Sequence, residues 1–339
     1  MKKRFSRVLV VGIALLAASW FGVCVWVMSF NEPGPLQETK TVMVPRGSST
    51  RSIGTLLARE GVVNSELEFI VASKLSFAQN VLKAGEYTFT PAMSVQQVIQ
   101  KLSGGDVIHR SLTIPEGLTV KQVRAMVEAD KGLSGPPLNF EEGALLPETY
   151  RFEYGTKRAD IMREMAKAMT KAVDEAWATR DMSLPLKDKN DLLTLASIVE
   201  KETGIAEEMP IVASVYINRL NKGMKLQADP TVIYGASGYE GNLTKAHMSE
   251  PHAYNTYVNY GLPPGPIANP GKLAIQASAR PAKTDYLFFV ADGKGGHLFG
   301  KTYKEHQANV RQFLALLRSG KAKPAVVIEP AAGKAEAKL

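Results

Sequence analysis

The most pronounced pattern in the chain is an apolar run without charge over residues 8–30, preceded by four lysines and arginines within positions 2–7. A helix of about 20 apolar residues spans the ~30 Å hydrocarbon core of a bilayer, and flanking positive charge stays in the cytoplasm. The pattern therefore predicts that residues 1–30 form an uncleaved single-pass anchor, with the remainder outside the cytoplasm. A cleaved signal peptide is the alternative, but its apolar region is usually about 7–15 residues and ends in a small-residue site.

A linker over residues 31–40 leads into a region where two hydrophobic periods alternate. Apolar positions repeat every second residue over 41–45 and 85–90, which predicts strands, and at helical spacing over 50–57, 66–75 and 95–102. The predicted unit, residues 41–106, is a strand-helix-helix-strand-helix module. A Pro-x-Gly-x-[ST] element occurs at residues 45–49 and again at residues 115–119. In both places glycine allows a sharp turn and the hydroxyl residue can cap a helix.

The second half of the chain contains a long amphipathic helix over 159–180, a predicted helix over 206–220 and, between them, a predicted helix over 191–203. On that helix Glu200 shares an apolar stripe with Leu193 and Ala196, whereas Glu202 faces elsewhere. Burial and the negative end of the helix dipole would raise the pKa of Glu200, as a general acid requires. The other interpretation is a solvated Glu200 paired with Lys201, and helix geometry alone favours it.

Three later segments, 225–235, 253–257 and 261–271, are rich in amide, hydroxyl and aromatic side chains and are expected to be loops. Such groups bind sugar hydroxyls and stack on sugar faces, so these loops are candidates for carbohydrate contacts. Ordinary loop architecture explains them equally well. The candidate contact residues are Gln227, Asp229, Thr231, Tyr254 and Asn255. Asp229 precedes a proline, so we expect it in an extended or turn conformation, either as a second carboxylate or as a loop-ordering residue.

Composition excludes several classes of function. The 339 residues carry a formal net charge of +8, but no Lys/Arg-rich run with interleaved aromatic residues, so nucleic-acid binding is not expected. The single cysteine, Cys24, lies within the apolar run, which leaves the rest of the chain without disulfides or cysteine ligands. Neither H-E-x-x-H nor G-x-S-x-G occurs, and we predict no metal and no cofactor. Residues 319–339 are rich in Ala, Lys and Pro and are predicted to be a disordered tail.

Several long sequence strings occur in a fixed order between the apolar run and residue 317. They are 113–119 (TIPEGLT), 146–152 (LPETYRF), 196–203 (ASIVEKET), 215–220 (VYINRL), 226–235 (LQADPTVIYG), 254–257 (YNTY), 261–265 (GLPPG) and 286–297 (YLFFVADGKGGH). With these strings the chain resembles the MltG/YceG family of membrane-bound endolytic murein transglycosylases. The resemblance implies an α+β fold with a LysM-like peptidoglycan-binding module over 41–106, a catalytic domain over 107–318 and Glu200 as the catalytic glutamate.

The resemblance also implies a reaction and a location. The substrate would be the glycan strands of peptidoglycan, cut between N-acetylmuramic acid (MurNAc) and N-acetylglucosamine (GlcNAc) to leave 1,6-anhydro-MurNAc ends, which would terminate nascent strands. The enzyme would sit in the cell inner membrane with its catalytic domain in the periplasm, beside peptidoglycan synthases as possible partners. Two alternatives stay open: a muramidase that uses water as acceptor, and a non-enzymatic wall-binding scaffold.

Overall fold

The structure is a computed structural model that describes Trp20, Gly22 and residues 26–79, 81–237 and 239–321. Most of the predicted anchor and nearly all of the predicted tail therefore lie outside the described residues. Within the described residues, no helix is both long enough and apolar enough to cross a membrane.

The chain divides into two compact units. The first comprises residues up to Arg110 together with Arg151–Gly155, and the second comprises Ser111–Tyr150 and the residues from Thr156 onward. Each unit has its own hydrophobic core. The fold is α+β, with helices and small two-stranded sheets.

The first unit follows the predicted order of strands and helices. A 3₁₀ turn, Ser29–Asn31, precedes its elements, which are β1 (Lys40–Val44), α1 (Thr50–Arg59), α2 (Glu66–Leu75), β2 (Gly85–Phe89), α3 (Val95–Gly104) and the start of β3 (His109–Thr113). Strands β1 and β2 pair antiparallel, with Val44 opposite Gly85 and Lys40 opposite Phe89. The helices pack against this pair through a core that includes the fully buried Leu57, Phe69 and Tyr87.

The repeated Pro-x-Gly-x-[ST] element has the same local geometry in both places. Gly47 and Gly117 both have left-handed φ angles, +80° and +73°, which a side chain would strain. Two residues later, Ser49 and Thr119 cap the following helices by accepting a backbone N–H in the first turn. The sequence echo therefore reflects a shared turn and helix start.

The second unit contains the remaining elements, except that residues 151–153 of β5 belong to the first unit. They are α4 (Val120–Ala129), β4 (Leu133–Ser134), β5 (Thr149–Glu153), β6 (Thr156–Lys157), α5 (Arg158–Ala178), α6 (Lys189–Glu202), α7 (Met209–Asn221), α8 (Asp229–Gly235), α9 (Lys245–Ser249), α10 (Lys272–Ala279), β7 (Phe288–Ala291), β8 (His297–Gly300) and α11 (Tyr303–Arg318). The division between the units falls within β3 and within β5.

Helix α6 is the central element of the second unit. Asp188 caps its start by accepting the N–H of Asp191, and the helix ends at Thr203, whose backbone is extended. Its residues from Thr194 to Glu200 are all buried, because α5, α7 and α10 pack around it. An amphipathic stripe was expected, but the last two turns of α6 are surrounded almost completely by protein.

Two expectations about the second unit require correction. The segment 225–235 was expected to be a loop, yet Asp229 begins helix α8, and the extended residue is Ala228. Pro230 does not prevent this, because proline fits the first turn of a helix, where its missing N–H would have no intrahelical partner. The helix expected from residue 206 begins only at Met209, again with a proline in its first turn.

Candidate functional site

The end of α6 carries two carboxylates in different surroundings. Glu200 and Glu202 are two residues apart, which corresponds to about 200° around the helix axis. Their side chains therefore point to nearly opposite sides of the helix, so that when one faces the protein core the other faces away from it. The question is which of them can reach a substrate.

Glu200 is enclosed by protein, with only 1% of its surface exposed. Its Oε2 accepts the backbone N–H of Gly271 at 2.9 Å, whereas Oε1 is buried without a hydrogen-bond partner among the described residues. Gly117 lies against its side chain, and Lys201 donates to the carbonyl of Gly117 at 3.2 Å. A Cβ atom at position 271 would overlap the carboxylate of Glu116, which would have to move to make room for a side chain there.

Burial is the main reason that the pKa of Glu200 rises from 4.5 to about 7. The N–H of Gly271 opposes the rise by stabilising the charged form, Glu116 adds to it by repulsion, and Lys201 lowers it. Burial also lowers the pKa of Lys201. Glu200 is thus protonated over part of the neutral range, yet it is sealed from solvent.

Two buried polar side chains hold the segments that enclose Glu200. Asn269 accepts the N–H of Leu145 and donates to the carbonyl of Leu118, both at 2.8 Å. Ser197 on α6 accepts the N–H of Ile267 at 3.0 Å. The backbone segments around residues 117 and 269 therefore form a wall against Glu200.

Glu202, the last residue of α6, borders a cavity of about 280 Å³. Glu202 is partly exposed, and its Oε1 accepts the hydroxyl of Tyr216 at 2.5 Å. The cavity is lined by Glu202, Tyr216, Arg219, Leu226, Gln227, Asp229, Tyr257, Phe289, Val290, Ala291 and His297. It combines carboxylate, amide, phenol and guanidinium groups with apolar and aromatic surface, as sugar sites do.

The pKa of Glu202 is also raised from 4.5 to about 7, chiefly by burial. The hydroxyl of Tyr216 lowers it by stabilising the carboxylate, Asp229 raises it by repulsion, and Arg219 lowers it. Burial beside Glu202 raises the pKa of Tyr216 well above its usual value, so its hydroxyl remains a donor. Glu202 therefore exchanges a proton near neutral pH at the edge of an open cavity.

Two of the predicted contact residues lie in this cavity. Asp229, at the start of α8, accepts the hydroxyl of Tyr257 at 2.6 Å and is exposed. Gln227 is also exposed and has a left-handed φ of +51°, which is uncommon for a residue with a side chain. Its backbone N–H donates to the carbonyl of Thr256 at 3.2 Å, which fixes this conformation.

The structure places the other three predicted contacts within the supporting framework. Thr231 is fully buried, and its hydroxyl bonds to the carbonyl of Ala228 and to Thr256. Asn255 is also fully buried and donates to three backbone carbonyls of the 247–250 segment. Tyr254 is half-buried with its ring 4.8 Å from that of Tyr234. None of the three is among the residues that line the cavity around Glu202.

Sequence reasoning did not identify several residues of the cavity. His297 opens β8, and its Nδ1 lies 2.7 Å from Glu208 Oε2, while its backbone N–H donates to Oε1 of the same carboxylate. Arg219 donates to the carbonyls of Leu226 and Leu287, which joins α7 to the β7–β8 hairpin. The i, i+3 spacing of Tyr216 and Arg219 on α7 was the available signal, because it places both on one helix face.

Within the described residues, no group of three or more His, Cys, Asp or Glu side chains is arranged to hold a metal ion.

Comparison with known proteins decides the family. The sequence profile of the YceG-like family matches residues 42–312, which is most of the chain. The chain belongs to the YceG-like family. The match includes both α6 and the segments that line the cavity around Glu202.

Relatives and a solved structure within this family agree with the match. A protein of Bacillus subtilis (strain 168) named endolytic murein transglycosylase is 31% identical, over 82% of this chain and 85% of the relative. A protein of the same name from Streptococcus pneumoniae serotype 2 is 29% identical, over 91% of this chain and 65% of the relative. The crystal structure of a YceG-like protein from Listeria monocytogenes is 32% identical with a TM-score of 0.50, covering 80% of this chain and 99% of that chain.

Proposed function

We propose that this protein is an endolytic murein transglycosylase that cuts the MurNAc–GlcNAc bond within peptidoglycan strands and leaves 1,6-anhydro-MurNAc ends. Membership of the YceG-like family and the names of relatives at about 30% identity support this activity. Formation of such ends on growing strands would terminate their synthesis.

The sequence resemblance favoured Glu200 as the acid/base. We assign this role to Glu202 instead. A catalytic acid must come within hydrogen-bond reach of the glycosidic oxygen. Glu202 borders the cavity that also contains Gln227 and Asp229, whereas Glu200 is 1% exposed. The assignment of the acid/base role rests on the fact that Glu202, and not Glu200, lines the cavity. Glu200 instead fixes the 267–271 backbone through its bond to Gly271.

The reaction follows from the proton that Glu202 holds near neutrality. Protonated Glu202 donates to the glycosidic oxygen of GlcNAc as the bond to MurNAc C1 breaks, and positive charge develops on the sugar ring. The substrate's acetamido group and the carboxylate of Asp229 stabilise that charge. Glu202, now ionised, takes the proton of the MurNAc 6-hydroxyl, whose oxygen bonds to C1. Atoms balance without water, and Glu202 is protonated again.

The cavity residues around Glu202 have supporting roles in this scheme. Tyr216 fixes the orientation of Glu202 through its hydroxyl, and Tyr257 fixes Asp229 in the same way. Gln227, held in a strained backbone conformation, presents its amide to the substrate's polar groups. Tyr254, Thr231 and Asn255 support the 254–257 segment that carries Tyr257.

We propose a LysM-like, peptidoglycan-binding role for the module over residues 41–106. The support is its order of elements: strands β1 and β2 pair antiparallel, and helices α1 and α2 lie between them along the sequence. An N-terminal single-pass anchor in the cell inner membrane, with both units on the periplasmic side, is supported by the apolar run over residues 8–30. We also propose that the enzyme works beside peptidoglycan synthases at this membrane.

The experiment that tests the activity is mass spectrometry of products from purified, glycan-only peptidoglycan strands. Products with 1,6-anhydro-MurNAc ends, released from within long strands, are the expected result. Reducing MurNAc ends that incorporate ¹⁸O from labelled water would contradict the transglycosylase and establish the muramidase. Binding without any cleavage would establish the scaffold.

A further inference from the structure

The turn after α2 in the first unit exposes three large apolar side chains. Leu75, Phe77 and Val81 are 53%, 87% and 52% exposed. Phe77 also has a left-handed φ of +54°, a conformation that side-chain-bearing residues rarely adopt. The hydroxyl of Thr50 on α1 donates to the carbonyl of Gln79, which ties this turn to α1. Several exposed apolar side chains close together mark a candidate interaction surface.

The same turn lies beside the last residues of the predicted anchor. A cavity of about 420 Å³ is lined by Val27 and Phe30 together with Leu75 and Ala78. Phe30 is 3% exposed and belongs to the core of the first unit. The end of the apolar run is therefore fixed in the module, and the exposed turn sits next to it.

The charges around the turn suit an anionic bilayer surface. Residues 69–85 contain no Asp or Glu but two lysines, Lys74 and Lys83. Trp26 and Met28, which precede Phe30, are 39% and 73% exposed. Aromatic and apolar side chains with nearby lysines are the composition that enters a membrane interface.

We propose that Leu75, Phe77 and Val81, called the apolar turn below, insert into the interface of the membrane that holds the anchor. The proposal rests on the proposed anchor, because the anchor brings the turn to the bilayer. Insertion would give the first unit a second attachment and set its orientation to the membrane.

The test uses the full chain in lipid nanodiscs of phosphatidylethanolamine and phosphatidylglycerol. Replacing Cys24, the single native cysteine, by alanine allows one dye to be attached at Val81→Cys, which keeps Phe77 in place. The matched control carries the same dye at Arg59→Cys, an exposed position at the end of α1. Lipids with a nitroxide near the headgroup quench a dye that lies in the interface.

We expect quenching at position 81 to exceed that at position 59 several-fold, and Phe77→Asp in the Val81→Cys chain to abolish the difference. Equal quenching at both positions, or no effect of Phe77→Asp, would overturn the apolar turn as a membrane contact while leaving the anchor intact. A chain that does not enter nanodiscs at all would overturn both the anchor and this inference.

Discussion

Glu202 is in contact with one group that stabilises its charged form and lies near another that destabilises it. Tyr216 donates a hydrogen bond to its carboxylate, and Asp229, which lines the same cavity, repels it. The pKa of Glu202, about 7, reflects both effects on top of burial. Because the acid role needs the proton, the rate should fall as pH rises through this pKa.

Asp229→Asn removes the repulsion, so it should lower the pKa of Glu202. The alkaline limb of kcat/KM against pH should then move to lower pH, and the rate at neutral pH should fall because fewer molecules carry the proton. A pH–rate profile with soluble glycan strands measures this. An unmoved limb would mean that Asp229 does not act on the acid.

Tyr216→Phe should move the same limb in the opposite direction. Without the hydroxyl, the carboxylate of Glu202 loses its hydrogen bond, and its pKa rises. The maximal rate should also fall, because Glu202 is no longer held in one orientation. If both variants moved the limb in the same direction, the titrating group would not be Glu202.

Glu200 should affect stability more than rate. Its pKa is about 7 in the folded protein against 4.5 in the unfolded chain, so the folded state binds the extra proton between these values. The resulting stabilisation is complete below pH 4.5 and is lost as pH rises through about 7, by on the order of 3 kcal/mol. Glu200→Gln does not titrate, so its melting temperature should fall less than that of wild type over this range. An identical fall in both proteins would contradict the burial of Glu200.

At the scale of secondary-structure elements, Asn269 connects the segments that enclose Glu200. Asn269→Ala leaves the N–H of Leu145 without its acceptor in a buried place. Each buried polar group left unpaired costs about 1–3 kcal/mol, so chemical denaturation should show a loss of that order. The matched control is Asn221→Ala at the exposed end of α7, which should change stability by less than about 0.5 kcal/mol. Equal losses in both variants would exclude this connecting role.

Helix positions could be predicted from sequence better than the identity of the acid. Hydrophobic spacing predicted α2 and α3 with nearly the observed ends, and in the structure Ser65 and Ser94 cap these helices locally. The choice between Glu200 and Glu202 could not be made this way. Residues 194–200 of α6 are buried on every side, so an apolar stripe indicates burial but not which end of the helix meets a cavity.

The site itself depends on contacts between distant parts of the sequence. Glu202, Tyr216 and Asp229 meet His297 at the cavity only after α7, α8 and the β7–β8 hairpin have packed around α6. The strings that resemble the family included all four residues, but neither periodicity nor spacing indicated that they share a cavity. For Thr231 and Asn255 the sequence was misleading in the opposite way. The polar composition of their segments suggested sugar contacts, but both side chains are buried and hydrogen-bonded inside the fold.

At the scale of the whole molecule, the two cores should unfold as separate cooperative units. Leu57 and Leu195 are fully buried in the first and second cores. Leu57→Ala, which removes about 2–5 kcal/mol, should speed hydrogen exchange in β1, β2 and α1 but not in α6 and α7. Leu195→Ala is the matched variant and should have the reverse effect. Faster exchange in both units after either substitution would show that they unfold together.

The most direct test of the central claim compares Glu202→Gln with Glu200→Gln in the release of anhydro-ended fragments from glycan strands. The two variants remove the same charge from one helix, two positions apart. We expect Glu202→Gln to lower the turnover rate by about 10²–10⁴-fold and Glu200→Gln, once shown to be folded, to lower it by less than about tenfold. A folded Glu200→Gln protein without activity, alongside an active Glu202→Gln protein, would contradict the account and return the acid/base role to Glu200.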